Sequence, residues 1–344
     1  MGAEPAARRS KDGLVAAVIN FNTAALTRRC TRSLAEAGVE RILVLDNASA
    51  PGDVRQLVEA HAGDPRVHIL RSDENLGFAG GSNRLVDHAL ADPGCTGVLL
   101  LNSDAVAVAR GLDACLDLMA AGKHDLVGGR MLKPPRDGEP PVVDSLGITL
   151  YKSLLASNRK STGDAYLGPT GGFAIYSRRF LEATKRLYGY VFDPAYFCYA
   201  EDTDLCVRAR LQKASVGYCD EIVAYHEGQG SNEGRYDDFI LYHGIRNSIW
   251  MAWKSIPGWL LFTQLPWIAA LHAGIVVRHT LQGRFRTLLR LYGDAFAGLP
   301  RVLRERRAVQ QTRRVSAGEF RALIDRKFYE TDYVRGAVRD LYRR

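Results

Sequence analysis

The chain has 344 residues, of which 47% are hydrophobic and 24% charged, so it can bury a sizeable core and is neither disordered nor low-complexity. Its net charge of +8 is uneven: of 46 basic and 38 acidic residues, 17 and 7 respectively fall in 278–344. The basic character therefore belongs to the tail, which argues against a nucleic-acid-binding core. Met1–Gly13 is polar and lacks an apolar run, so no secretory signal is read there. The six cysteines are scattered without a CxxC pair and sit in or beside apolar stretches. They read as buried free thiols rather than as disulfides or a zinc site.

Strand and helix alternate through the first two-thirds. Leu14–Asn20 is an apolar run that reads as a buried strand. Thr23 stands where a cap would be, before a helix over Ala24–Ala37 that Gly38 ends. Arg41–Leu45 is a second strand, closed by Asp46-Asn47-Ala48-Ser49, and a helix follows over Gly52–His61. Val67–Leu70 is a third strand, with a helix over Gly80–Ala91. Val98–Leu101 is a fourth, running into Asn102-Ser103-Asp104. Strands without polar alternation suit a parallel sheet covered by helices on both faces, and the spacing points to a doubly wound α/β sheet.

The pattern weakens over 123–167, where Lys133–Pro141 reads as a loop. It returns with the apolar run Gly172–Tyr176, a helix over Arg178–Leu187 and an acidic helix start at Glu201. Ser255–Val277 contains no charged residue but is interrupted by Pro257, Pro266, Gln264 and His272. It reads as an interfacial or re-entrant helical segment, with a buried helix and a single membrane span as alternatives. A further helix is expected over Arg284–Ala297, ending before Pro300, and Ser316-Ala317-Gly318-Glu319 reads as a capping box.

Chemistry concentrates at strand ends, where open α/β sheets bind their ligands. Asp46, the glycine-rich run Asn75–Asn83, Asp104, and Glu201-Asp202 stand there. Singly, each has a plain explanation as a helix cap or tight turn; together they define a site. The first strand is followed by Asn20-Phe21-Asn22-Thr23-Ala24 with no glycine, which excludes a GxGxxG dinucleotide turn. Phosphates must then be handled differently, and a metal ion held by carboxylate is the natural substitute.

Six ordered motifs carry a resemblance. They are Val18–Asn22, Leu45–Ser49, Asn75–Asn83, Leu100–Asp104, Thr170–Phe173 and Phe197–Arg208, followed by His226 with Ser231 and a distal Tyr242–Asn247 segment. Together they resemble glycosyltransferase family 2, and within it the rhamnosyltransferase-like branch. The resemblance implies a GT-A, Rossmann-like, mostly parallel α/β domain over 13–248. A helical, basic, membrane-associated extension over 249–344 would follow. It implies an inverting transfer with Asp202 as base, and a Mn²⁺ or Mg²⁺ ion held by Asp104 and His226. Asn20, Asp46, Asn75, Gly77, Asn83, Asn102, Gly171, Gly172, Glu201 and Arg246 would shape the donor site. Asn102 stands where other families have the first Asp of a DxD motif. His226 could alternatively be a core histidine, Asp204 a helix-start charge, and Arg246 half of a surface salt bridge. The expected partners are a nucleotide sugar, with dTDP-rhamnose favoured over UDP-sugars, and a cell-envelope glycan or polyprenyl-linked saccharide. No nucleic acid is expected. The enzyme would sit in the cytoplasm against the inner face of the cell membrane. A non-catalytic nucleotide-sugar-binding protein is the alternative.

Overall fold

A computed structural model describes residues 11–120, 122–135, 140–228 and 236–331. Part of the expected 133–141 loop, Ser231 and the end of the basic tail lie outside the described residues.

The first half follows the apolar runs closely: β1 (Leu14–Asn20), α1 (Ala24–Glu36), β2 (Arg41–Asn47), α2 (Pro51–Ala60), β3 (Val67–Ser72), α3 (Gly77–Leu90) and β4 (Gly97–Leu101). Then come β5 (Ala105–Ala107), α4 (Ala109–Ala120), β6 (Leu126–Leu132), β7 (Val143–Ser145), β8 (Ile148–Leu150) and β9 (Ala156–Asn158). The chain continues with β10 (Phe173–Ser177), α5 (Arg178–Tyr188), α6 (Glu201–Leu211) and β11 (Val216–His226). Four helices close it: α7 (Tyr236–Ser255), α8 (Gly258–Leu281), α9 (Phe285–Gln311) and the short α10 (Ala317–Arg321).

The main sheet runs β3-β2-β1-β4-β10-β6-β11-β5, with β7 paired to β6, and β8 and β9 form a separate ribbon. Strands β3, β2, β1 and β4 are mutually parallel. Strand β10 then enters antiparallel between β4 and β6, so the second half of the sheet is mixed rather than parallel. Both faces are covered. Leu14, Ala16 and Val18 pack under Cys30 and Leu34 of α1 and Leu112 of α4. Their neighbours Val15 and Ala17 point the other way, toward Leu85 of α3, Leu181 of α5 and Leu205 of α6. A strand whose alternate residues are both apolar is buried on both faces, and this layering places all parallel strand ends on one edge.

The C-terminal helices pack on that edge through a third core cluster, joining Tyr196, Val207 and Leu211 to Trp250, Met251, Leu260 and Val302. Helix α8 is continuous through Pro266, long and apolar enough by length and composition to cross a membrane, with only 28% of its most apolar window buried. Pro257 caps its start, and Pro266 does not interrupt it. Helix α9 does not stop before Pro300 but continues to Gln311. An interior proline costs about 3 kcal/mol. Val302 and Val309, both buried beyond it, offset that, as does the Trp250 indole, whose Nε1 donates to the Ala295 carbonyl at 2.9 Å. The capping box forms as expected, Ser316 Oγ accepting from Glu319 N. All six cysteines are free thiols, five of them buried.

Candidate active site

A cavity of about 1050 Å³ opens at the carboxyl edge of the sheet. A pocket for a single drug-sized ligand occupies roughly 300–1,000 Å³, so this one has room beyond that. Of the residues singled out in the sequence, Asn75, Gly77, Asn102, Asp104, Gly171, Gly172, Glu201, Asp202 and His226 line it.

Asp104 follows β4 and is 5% exposed. His226 ends β11, which pairs with β5 so that His226 lies opposite Ala105, beside Asp104. The imidazole Nε2 faces Asp104 Oδ1 at 3.1 Å, while Nδ1 faces Asp144 Oδ2 at 2.8 Å. Burial pushes the His226 pKa down, but the hydrogen bonds to the two carboxylates outweigh it and carry it up to about 9. Burial raises the Asp144 carboxyl, and its bond to His226 outweighs that and holds it below the usual range. His226 is therefore an imidazole held between two carboxylates at the cavity wall. The Asn102 amide Nδ2 lies 3.4 Å from the same Nε2.

Among the described residues no cluster of three or more acidic, His or Cys groups is arranged to hold a metal ion. Asp104 and His226 Nε2 supply two donors. That fits Mg²⁺ or Mn²⁺ sites in which one or two protein groups are completed by substrate phosphates and water. Asp144 on Nδ1 would then fix which ring nitrogen faces the ion.

Asp202 sits in the first turn of α6. Its Oδ2 accepts from Gly171 N at 2.9 Å and its Oδ1 from Thr203 N at 2.6 Å. Burial raises its pKa above the ordinary aspartate value, and these backbone bonds pull the other way. The next carboxyl, Glu201, is 5% exposed, its Oε2 has no hydrogen-bond partner, and burial followed by the Asp202 charge raises its pKa strongly. The two halves are linked through the glycine pair, since Asn102 N donates to Gly172 O at 3.1 Å.

The turn before α6 is strained. Phe197 (φ 63, ψ −64), Tyr199 (φ 69) and Ala200 (φ 65) all have positive φ without being glycine. Cys198 N donates to Tyr196 O at 2.7 Å, which makes Phe197 the centre of a tight three-residue γ-turn. The Phe197 carbonyl accepts from Ala79 N at 3.0 Å, bringing this turn against the glycine-rich segment. A Cβ on Gly77 would lie 2.3 Å from that carbonyl, and Gly77 has φ +66, so both the approach and the backbone require glycine there.

Four residues expected at the donor site do not reach the cavity wall. Asn20 is fully buried, bonded to Asp46, Ser49, Asp53 and Thr27, and ties the end of β1 to the turn after β2. Asp46 is 1% exposed beneath that network, and Asn47 beside it lines the cavity instead. Asn83 holds the 191–192 backbone, accepting from Phe192 N at 2.9 Å and donating to Phe192 O at 2.6 Å. Arg246 lies back from the cavity wall and is not in a surface salt bridge among the described residues. It is 8% exposed, sandwiched by the Tyr242 and Trp250 rings, and bonded to Tyr196 O and Asn247 Oδ1. Asp204 is fully buried with Arg208, Lys254 and Ser255, so it locks α6 to α7 rather than merely favouring a helix start.

One contributor, Asp144, carried no sequence signal, and two, Asn47 and Asn247, lay in motifs without an assigned role. Asp144 lies in the stretch where periodicity fails. Asn47 shapes the glycine-rich turn, its Nδ2 donating to Asn75 Oδ1 at 3.0 Å and its Oδ1 accepting from Leu76 N at 3.0 Å. Asn247 donates to the carbonyls of Tyr196, Cys198 and Tyr199 at 2.9, 2.8 and 2.7 Å, pinning the strained turn.

The fold is that of the GT-A glycosyltransferases, a mixed α/β unit with a helical C-terminal region. Residues 16–184 match the family described as Glycosyl transferase family 2. A curated relative, the low-salt glycan biosynthesis hexosyltransferase Agl10 of Haloferax volcanii, is 24% identical over 216 residues. That match spans 61% of this chain and 66% of the relative, just under two-thirds of its length. Among solved structures, the mannosyltransferase PcManGT from Pyrobaculum calidifontis, in complex with GDP-Man and Mn²⁺, superposes with a TM-score of 0.51 at 16% identity. It covers 89% of this chain and 87% of that one. S. aureus TarS in complex with UDP-GlcNAc gives 0.53 at 16% identity, covering 94% and 92%.

Proposed function

We propose that this chain is an inverting, metal-dependent glycosyltransferase. It moves a sugar from a nucleoside diphosphate to a hydroxyl of a cell-envelope glycan or lipid-linked saccharide. The observation that carries this is one cavity lined both by a buried carboxylate at a helix start, Asp202, and by an Asp104–His226 pair. Asp202 accepts the proton of the acceptor hydroxyl while that oxygen bonds to the anomeric carbon and the carbon–diphosphate bond breaks. A carboxylate with a raised pKa is a better base for this than a solvated one. Gly171 N–H orients it, and the buried walls exclude water. A divalent ion between Asp104 and His226 would neutralise charge on the departing diphosphate.

The motif resemblance favours dTDP-rhamnose as donor. The GDP-Man and UDP-GlcNAc complexes of PcManGT and TarS support the alternative of another nucleotide sugar. The exposed Trp259, Phe262, Val277, Phe285, Leu289 and Phe296 of α8 and α9, flanked by Arg286 and Arg290, support peripheral contact with an anionic membrane surface on the cytoplasmic side.

The test is binding and hydrolysis across a panel of dTDP-, UDP- and GDP-sugars with Mn²⁺, Mg²⁺ or EDTA, for wild type, Asp104→Ala and Asp202→Asn. We expect one sugar nucleotide to bind only with metal, binding to fall in Asp104→Ala, and Asp202→Asn to bind normally without turnover. Absence of binding to any nucleotide sugar under every metal condition would refute the transferase reading.

A further inference from the structure

Beyond Asp202, the cavity wall changes character. Phe197 and Tyr199 of the strained turn and Phe239 of α7 line it together. Tyr199 and Phe239 meet edge to face with ring centroids 6.1 Å apart, and Phe197 and Phe239 at 6.4 Å. The His243 imidazole backs both phenylalanines, stacked on Phe197 at 5.5 Å and against Phe239 at 4.4 Å. Burial and the nearby Arg246 charge push the His243 pKa down to about 4, so a neutral ring joins the cluster. None of these rings is fully buried.

This aromatic wall stands directly beside two carboxyls. Glu201 lines the cavity, and its buried Oε2 has no hydrogen-bond partner among the described residues. A buried carboxyl oxygen left without a partner is unfavourable, and a ligand hydroxyl that reached it would relieve that. Hydrogen bonds link His226 to Asp104 and Asn102, Asn102 to Gly172, and Gly171 to Asp202. The rings of Phe197 and Tyr199 come from the turn that leads directly into Glu201 and Asp202 and line the same cavity. A pyranose has a C–H face and a rim of hydroxyls, so rings beside a hydrogen-bonding carboxyl match it. A peptide or a bare phosphate would use only half of that arrangement.

We propose that Phe197, Tyr199, Phe239 and Glu201 form the acceptor subsite, which takes a pyranose ring with its C–H face on the aromatic wall and a hydroxyl on Glu201. This rests on the transferase reading and narrows its acceptor to a saccharide whose sugar ring itself enters the cavity.

The test uses the full chain with Mn²⁺. Calorimetry first measures binding of UDP, GDP and dTDP. Saturation-transfer NMR then probes a panel of methyl pyranosides in the presence of the nucleotide that binds. At least one methyl pyranoside should bind, with its ring C–H protons receiving the strongest saturation. Its affinity should fall roughly tenfold in Phe239→Leu and Tyr199→Leu, be retained in Phe239→Tyr, and fall in Glu201→Leu. Nucleotide affinity should stay unchanged in the Phe239 and Tyr199 variants. Nucleotide binding without binding of any pyranoside, or pyranoside binding unmoved by the leucine variants, overturns the subsite while leaving the transferase reading intact. Failure of wild type to bind any nucleotide refutes the transferase reading itself, and the subsite with it.

Discussion

Asn247 offers a test of how the site is built, because it touches no expected substrate position. Its side chain is fully buried, and its Nδ2 spans the carbonyls of Tyr196, Cys198 and Tyr199, while its Oδ1 accepts from Arg246. In Asn247→Ala both amide donors and the acceptor for a guanidinium are lost. At about 1 kcal/mol per neutral hydrogen bond and about 1.5 or more for the charged one, the loss is about 3.5 kcal/mol or more. On the other side stand Phe197, Tyr199 and Ala200 at positive φ, which store about 1 kcal/mol or more each. The two sums are of similar size, so the variant no longer holds the turn and the turn relaxes. Asp202 lies two residues beyond Ala200, and a misplacement of about 1 Å costs on the order of a hundredfold in rate. Steady-state kinetics should therefore show kcat down by about a hundredfold with donor affinity within a few-fold of wild type. A variant that loses thermal stability yet keeps kcat within threefold would refute the claim that the amide acts through the turn.

Other outcomes follow from the same structure. The raised Asp202 pKa places the acidic limb of the kcat profile above the ordinary aspartate value of about 3.9. A limb at or below that value would show that another group titrates. Asp144→Asn should weaken Mn²⁺ binding 10- to 100-fold, read by electron paramagnetic resonance of the free ion, because the His226 ring loses its anchoring carboxylate. In the metal-free protein His226 has a folded pKa of about 9, above its unfolded value of about 6.5. Its contribution is fully present below pH 6.5 and is lost as pH rises through 9, so the melting temperature should fall across that window and fall less in His226→Gln. Lys254→Met removes the cation between Asp193 and Asp204, all three essentially inaccessible to solvent. Breaking a buried pair on one side costs about 3–5 kcal/mol, so its urea unfolding midpoint should drop markedly.

The strands of the parallel half were readable because β1, β2 and β4 hold apolar runs that end at polar clusters, while the partly exposed edge strand β3 was marked by Val67, Ile69 and Leu70 despite His68 and Arg71. Strand β11 was not readable. Val216–His226 carries Asp220 and Glu221 at a register irregularity, so neither periodicity nor apolarity marks it. The cavity-lining carboxylates Asp104 and Asp202 were legible as motif positions at strand and helix ends. Asp144 was not, since its role depends on β7 pairing with β6, a long-range contact that local sequence does not encode. The motif asparagines Asn20 and Asn83 lie back from the cavity wall and hold neighbouring loops, because an amide offers two donors and an acceptor that can satisfy such groups as readily as a ligand. Arg246 likewise fills the gap between two aromatic rings, a place that the local sequence does not reveal.

The ion cluster of Asp193, Asp204, Arg208, Lys254 and Arg301 draws its members from both sides of residue 248, and α7 itself runs through that position. A chimera that exchanged the C-terminal helices with those of another transferase would leave Asp193 and Asp204 facing whatever the graft supplied. Grafts would have to be matched in charge at the positions of Lys254 and Arg301 before acceptor preference could be swapped. Sequence drift on either side is coupled in the same way, which makes the whole chain, not its first two-thirds, the unit on which selection and engineering can act.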